Sequence, residues 1–103
     1  MSEYTPDCWV IVEISGTKVP ETYRRILAGW YGGFINGDSW KMSSGINEMI
    51  DRETHWEIPN HSGSTYYCYK TAERFSGITS TIYASYAKEN SEEFSMTHIP
   101  IGD

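Results

Sequence analysis

The sequence predicts an α+β fold: a hairpin-rich antiparallel β-sheet with one helix from the C-terminal half packed on it. Three observations carry this reading. Apolar residues come in short runs closed by turn residues, which is the pattern of strands. An Asn-Gly pair at 36 and 37 stands between aromatic flanks, the signal of a tight hairpin. Only one segment, 77 to 90, repeats apolar residues at helical spacing.

Taken in order, CWVIVEI at 8 to 14 is dense in β-branched and aromatic residues and bounded by Pro6-Asp7 and Ser15-Gly16. Its nearly unbroken apolar character predicts a central strand. GTKVPE, 16 to 21, is a loop in which Pro20 fixes φ and removes a donor. TYRRILAGWYGG, 22 to 33, fits a strand better than a helix, because Gly29, Gly32 and Gly33 weaken a helix and paired aromatics favour a pleated surface. With SWKM beyond the Asn-Gly turn, residues 29 to 43 predict a hairpin. SSGIN at 43 to 47 is a second turn, followed by a short strand around Met49 and Ile50. THWEIP, 54 to 59, alternates weakly, NHSGST turns, and TYYCYK, 65 to 70, is a clear strand. Ile78, Ile82 and Tyr86 then fall four apart, with Phe75, Thr79 and Tyr83 on the adjoining stripe. Ser76 is the expected N-cap and Lys88 lies near the C-terminus. A last strand, FSMTHIPI at 94 to 101, closes the chain. No repeat or linker interrupts residues 1 to 103, which are expected to form one domain.

The formal net charge of −6 disfavours long nucleic acid, whose binding depends on neutralising many phosphates. No apolar run approaches membrane-spanning length and no signal peptide is recognised, so a cytoplasmic protein without membrane contact is expected. Cys8 and Cys68 sit in strand-like runs and read as buried, reduced thiols. Of His55, His61 and His98 the nearest pair, His55 and His61, straddles Pro59 and two expected elements. No nucleophile elbow, phosphate-binding Walker loop or metal-ligand spacing is present, so neither a catalytic group nor a cofactor or metal is expected.

GWYGGFINGDSWKMSSGI, 29 to 46, holds five glycines and four aromatic rings. Trp30 and Tyr31 must face opposite sides of a strand, so only one of them reaches the core. The other needs a neighbouring subunit or a planar ligand. The turns Ser43-Ser44-Gly45 and His61-Ser62-Gly63-Ser64 combine glycine with hydroxyls, and such turns can present successive backbone N–H groups to an anion. Gly45 is expected at positive φ. Arg24, Arg25, Lys41 and Lys70 are the cations near these segments.

The run WYGGFINGDSWKMSSGI, followed by HSGSTYYCYK, resembles small proteins of T-even-like bacteriophages in which an aromatic-Gly-Gly segment precedes Gly-Asp-Ser-Trp, a Ser-Gly turn and a later His-Ser-Gly-Ser. The pattern is similar to viral sponge proteins of the anti-CBASS type. It covers residues 23 to 86 and is specific at the two Gly-Ser turns, while residues 1 to 20 have no counterpart. The resemblance implies a non-enzymatic protein of the host cell cytoplasm that sequesters a cyclic dinucleotide such as cGAMP, and that assembles as a homo-oligomer. It implies stacking of a base on Trp30 or Tyr31, aided by Trp40, with Ser43, Ser44, Gly45, His61, Ser62, Gly63 and Ser64 around phosphate and ribose. The alternative from another class is an inhibitor that blocks a host protein through an acidic, aromatic surface.

Overall fold

Six of the seven residues from Cys8 to Ile14 are apolar, and a strand so composed has to be covered on both faces. The computed structural model, which describes residues 2–32 and 37–102, shows how this is done. The strands are β1 (Glu3–Tyr4), β2 (Cys8–Ser15), β3 (Tyr23–Trp30), β4 (Ser39–Met42), β5 (Ile50–Asp51), β6 (His55–Pro59), β7 (Thr65–Tyr69) and β8 (Ser95–Ile99). A short 3-10 turn (Lys70–Ala72) and the single helix α1 (Gly77–Ala87) complete the elements. The fold is α+β and dominated by antiparallel pairs, with the helix packed on the sheets. The strands divide between two four-stranded sheets, ordered β4-β3-β2-β8 and β1-β7-β6-β5. Among the strands of the described residues only β1 and β7 pair in parallel.

Strand β2 lies inside the first sheet, between β3 and β8. Alternation along it splits the core in two. Trp9 and Ile11, with Ile26 and Ala28 of β3, meet Ile58, Tyr66 and Cys68 of the second sheet. On the other face Val10, Val12, Ile14, Leu27 and Met96 are covered by Phe75, Ile82 and Tyr83 around the helix. The layers are therefore sheet, sheet and helix, with β2 buried in the middle. Each large side chain so buried contributes about 1.5–3 kcal/mol relative to exposure. The two thiols belong to these layers: Cys8 and Cys68 are buried and unpaired.

Helix α1 starts where the sequence places it. Ser76 Oγ accepts from Thr79 N and the Thr79 hydroxyl accepts from Ser76 N, a reciprocal cap. It ends at Ala87, a turn short of the expected 90, with Lys88 as C-cap. Its inward stripe holds the expected Phe75, Thr79, Ile82 and Tyr83, with Thr79 fully buried, but Tyr86 at the end of the expected row is exposed. The cap explains this, because the helix enters over Gly29 and brings its first turn, not its last, closest to the sheet. A Cβ on Gly29 would lie 2.9 Å from Cys8 Sγ, 3.0 Å from Thr79 Cγ2 and 3.2 Å from Ser76 Oγ. The expected hairpin forms between β3 and β4, with Gly29 opposite Trp40. Gly33, Phe34 and Asn36 lie outside the described residues. Among the described residues no helix is long and apolar enough to cross a membrane.

Two alanine substitutions with opposite signs test this packing. Gly29→Ala forces the capping box and Cys8 apart and is expected to destabilise by about 1–3 kcal/mol. Gly77→Ala meets nothing within 4 Å and should stabilise by about 0.4–1 kcal/mol through the unfolded chain. Urea midpoints of the two variants against the parent decide it, and equal midpoints would show that Gly29 is not a contact point.

Candidate functional site

Beyond Met42 the chain keeps following β3. Ser43 N donates to Ile26 O, and Ile46 N to Arg24 O, both at 2.8 Å. The Ser43 hydroxyl accepts from Ile26 N and donates to Ser44 O, each at 2.7 Å. Ser43 is buried, so its hydroxyl works as a stitch at the sheet edge and does not face a ligand. Residues beyond it reach the second sheet through a bridge between Ile46 and Asn60. This crossing brings the two Gly-Ser turns together. Ser44 Oγ donates to Ser62 Oγ at 3.0 Å and accepts from Ser62 N at 3.1 Å. His61 N donates to Gly45 O at 2.7 Å.

Within the second turn Asn60 N donates to Ser64 O at 2.8 Å and Gly63 N to Asn60 O at 3.0 Å. The N–H groups of His61, Ser62 and Gly63 are thus all engaged inside the protein. The expected row of free amides does not exist at this turn; among the described residues Ser44 N, Gly45 N and Ser64 N are left without partners. Gly63, at φ +95°, supplies the left-handed residue that closes the turn. Gly45 is not at positive φ, contrary to expectation. Its role is space. A Cβ there would stand 3.5 Å from Tyr23 Cδ2, at the wall of a cleft of about 290 Å³ lined by Tyr23, Gly45, Ile46, Asn47 and His61.

Tyr23 is the ring that sequence reasoning passed over. It is 37 % exposed at the first position of β3, and its signal in the sequence was weak: one tyrosine before two arginines at the mouth of a strand. The rings expected to stack lie elsewhere. Trp30 points between the sheets, its indole N–H donating to Thr5 O at 3.2 Å and its ring meeting Tyr4 edge-on at 6.2 Å. Tyr31 is the outward member of the pair, 47 % exposed. Trp40, opposite Gly29, is also exposed. Six residues of strand separate Trp30 from Arg24, about 20 Å. The fold therefore gathers Ser44, Gly45, His61, Ser62, Gly63 and Ser64, and leaves Trp30, Tyr31 and Trp40 at the other end of β3. Gly32, expected to admit a ligand, instead admits the carbonyl of Gly37, which a Cβ would overlap at 1.5 Å.

The expected cations are turned to protein groups. Arg24 pairs with Glu13 at 3.4 Å and Lys70 with Asp51 at 2.6 Å. The Lys70 hydrogen bond leads the causes that hold the Asp51 carboxyl below its ordinary value. Arg25 Nε donates to Ser43 O, and the Lys41 ammonium lies 5.4 Å from the Tyr4 ring centre. The histidines occupy three separate places: His55 beside Tyr67 and Tyr69, His61 on the cleft, and His98 against Phe75 and Tyr83. Burial pushes the Cys68 thiol up to about 12, which keeps it protonated and unreactive at neutral pH. Among the described residues no three His, Cys, Asp or Glu side chains converge in a metal-binding group.

Comparison with family models, curated proteins and solved structures gives no match to this chain.

The two glycines of the turns separate by stability. Gly63→Ala places a side chain at φ +95° and should cost about 1 kcal/mol. Gly45→Ala makes only ordinary contact with Tyr23 and should leave stability within about 0.5 kcal/mol. Thermal melts of both variants measure the difference; a large loss at Gly45 would mean that its backbone is strained after all.

Proposed function

We propose that the protein binds a cyclic oligonucleotide of the cGAMP type at the Tyr23–His61 cleft and sequesters it without cleaving it. One observation carries the reading: two glycine-serine turns, 18 residues apart, lock together through Ser44 and Ser62 at the rim of an open cleft. The resemblance of those turns to anti-CBASS sponge proteins supplies the ligand class. On this reading the Tyr23 ring stacks on a base, a contact worth about 1–3 kcal/mol. His61, Asn47 and the unpartnered amides of Ser44 and Gly45 serve phosphate and ribose. Tight sequestration at nanomolar concentration needs about −12 kcal/mol, more than one stacked base supplies.

The size of the cleft adds a second expectation. Its volume, about 290 Å³, lies at the lower end of small-molecule sites, which run from about 300 Å³ upward. It suits one nucleotide unit of a two-fold ligand better than the whole. Two copies facing one another would enclose both units, in the isologous arrangement most dimers use. The competing reading is inhibition of a host protein through the exposed Tyr31 and Trp40.

Titration calorimetry against a panel of cyclic di- and trinucleotides tests the proposal, with analysis of the ligand released after heat denaturation. Intact ligand and a light-scattering mass of at least a dimer are the expected results. Tyr23→Ala should weaken binding by about 1–3 kcal/mol, and Gly45→Val should do so by filling the cleft. Tyr86→Ala, on the exposed side of the helix, should leave binding unchanged. Hydrolysed product would overturn sequestration. Loss of affinity in Tyr31→Ala with none in Tyr23→Ala would move the site to the far end of β3. Silence across the whole panel, with a host protein captured instead, would favour inhibition.

A further inference from the structure

Arg74 is a cation that neither the sequence reading nor the cleft uses. Its backbone N–H donates to Trp9 O at 3.0 Å, which fixes the residue against the central strand. The guanidinium reaches outward and is held by three neutral oxygens. Nε donates to the Tyr31 hydroxyl at 3.3 Å, Nη1 to Thr71 O at 3.3 Å and Nη2 to Asp7 O at 3.4 Å. These bonds are long, and a guanidinium has five N–H groups to offer. Among the described residues the ion pairs within 4.0 Å use Arg24, Arg52 and Lys70, and none uses Arg74. Asp7 meets Arg74 through its backbone carbonyl and not its carboxylate, which accepts from Tyr31 N at 2.8 Å.

Two further features stand beside this charge. The first is the Tyr31 ring, with its centre 5.9 Å from Arg74 Cζ and 47 % of the residue exposed. The second is a hollow of about 460 Å³ lined by Lys70, Thr71, Glu73 and Gly102, which shares Thr71 with the Arg74 network. Glu73 also lines the hollow and keeps its charge, but it is held toward the C-terminal segment, accepting from Ile101 N at 2.7 Å and Gly102 N at 2.8 Å.

We propose that Tyr31 and Arg74 form a second binding place, separate from the cleft, for a small phosphate monoester carried on an aromatic or heteroaromatic ring. The ring of the ligand lies on Tyr31. Its phosphate takes the two remaining N–H groups of Arg74 at the edge of the hollow. A planar guanidinium suits this task because it bonds two phosphate oxygens at once, which an ammonium does not.

Phenyl phosphate is the minimal probe, with inorganic phosphate and phenol as its two halves and AMP as a heteroaromatic arm. Titrations of the isotope-labelled full chain are followed by backbone amide shifts. Phenyl phosphate and AMP are expected to move the amides of Asp7, Tyr31, Gly32 and Thr71, and to bind several-fold more tightly than either half. Arg74→Gln should lower that affinity by about ten-fold, the loss of a charge-assisted contact. Arg74→Lys should restore only part of it, and Tyr31→Leu should reduce it to that of inorganic phosphate. Shifts confined to Gly45, Asn47 and His61 would place these ligands in the cleft and overturn the second place. Equal binding of phenyl phosphate and inorganic phosphate would overturn it as well, as would unchanged affinity in folded Arg74→Gln. None of these outcomes depends on whether cyclic oligonucleotides bind at Tyr23.

Discussion

Strand β2 presents Trp9 and Ile11 to one sheet and Val10, Val12 and Ile14 to the helix side. That alternation leaves no polar edge to turn toward water, so both coverings are required at once. The second sheet supplies Ile58, Tyr66 and Cys68, and the helix region supplies Phe75, Ile82 and Tyr83. Even the polar atoms follow. Trp9 buries its indole N–H against Tyr69 O at 2.7 Å, tying the end of β7 to β2. Tyr66 is buried beside it with no protein partner for its hydroxyl among the described residues, and burial raises that phenol to about 12. The second sheet is held in place by packing strong enough to carry an unpaired buried hydroxyl, a burden of about 1–3 kcal/mol.

Local signals in the sequence made the elements legible but not their assembly. The apolar run of β2, the pairing of β3 with β4 across an Asn-Gly signal and the Ser76 cap each announce themselves within a few residues. Division into two sheets is not local. It depends on β1 and β5, two residues each, and on alternation in β6 and β7 that sends Trp56, Ile58, Tyr66 and Cys68 inward while His55, Glu57 and Tyr67 stay on the other side. So short a strand has no period to read. The helix face was legible except at Tyr86, which turns outward; position 79 is its most buried member because Gly29, fifty residues earlier, leaves room for the cap. Likewise the Gly-Ser turns were visible singly, while their meeting depends on Ile46 bridging Asn60. Tyr23 becomes notable only once Gly45 is known to lie against it.

The mixture of glycines and aromatics between 29 and 46 has a structural origin at Gly29, Gly32 and Trp30. Gly29 admits a helix cap and Gly32 a carbonyl from across the hairpin. Trp30 fills the space beside Tyr4, which itself stacks on Tyr66 at 4.9 Å. Close backbone approach and large rings are complementary here: where the chain comes together without side chains, the rings on neighbouring positions close the volume. Gly45 at one end and Tyr31 at the other are the members on which the two proposed binding places rest.

Charge distinguishes those two ends. The chain carries a net −6, yet at ordinary ionic strength the field of distant carboxylates fades over about 10 Å, and the groups next to a ligand decide its binding. At the cleft the lining groups are uncharged side chains and backbone, with the histidine of His61 as the one titratable exception beside the Tyr23 phenol. Neutral donors suit a phosphodiester, whose single charge is spread over two oxygens, better than a terminal phosphate with two. At Arg74 the balance reverses, since a fixed guanidinium without a carboxylate partner among the described residues gains more from a dianion. The two proposed places therefore select by the charge state of phosphorus, and a ring beside each supplies the sequence-independent part of the grip. On this physical reading a cyclic phosphodiester and a phosphate monoester would compete little for the same protein, because each meets its better partner at a different end of β3.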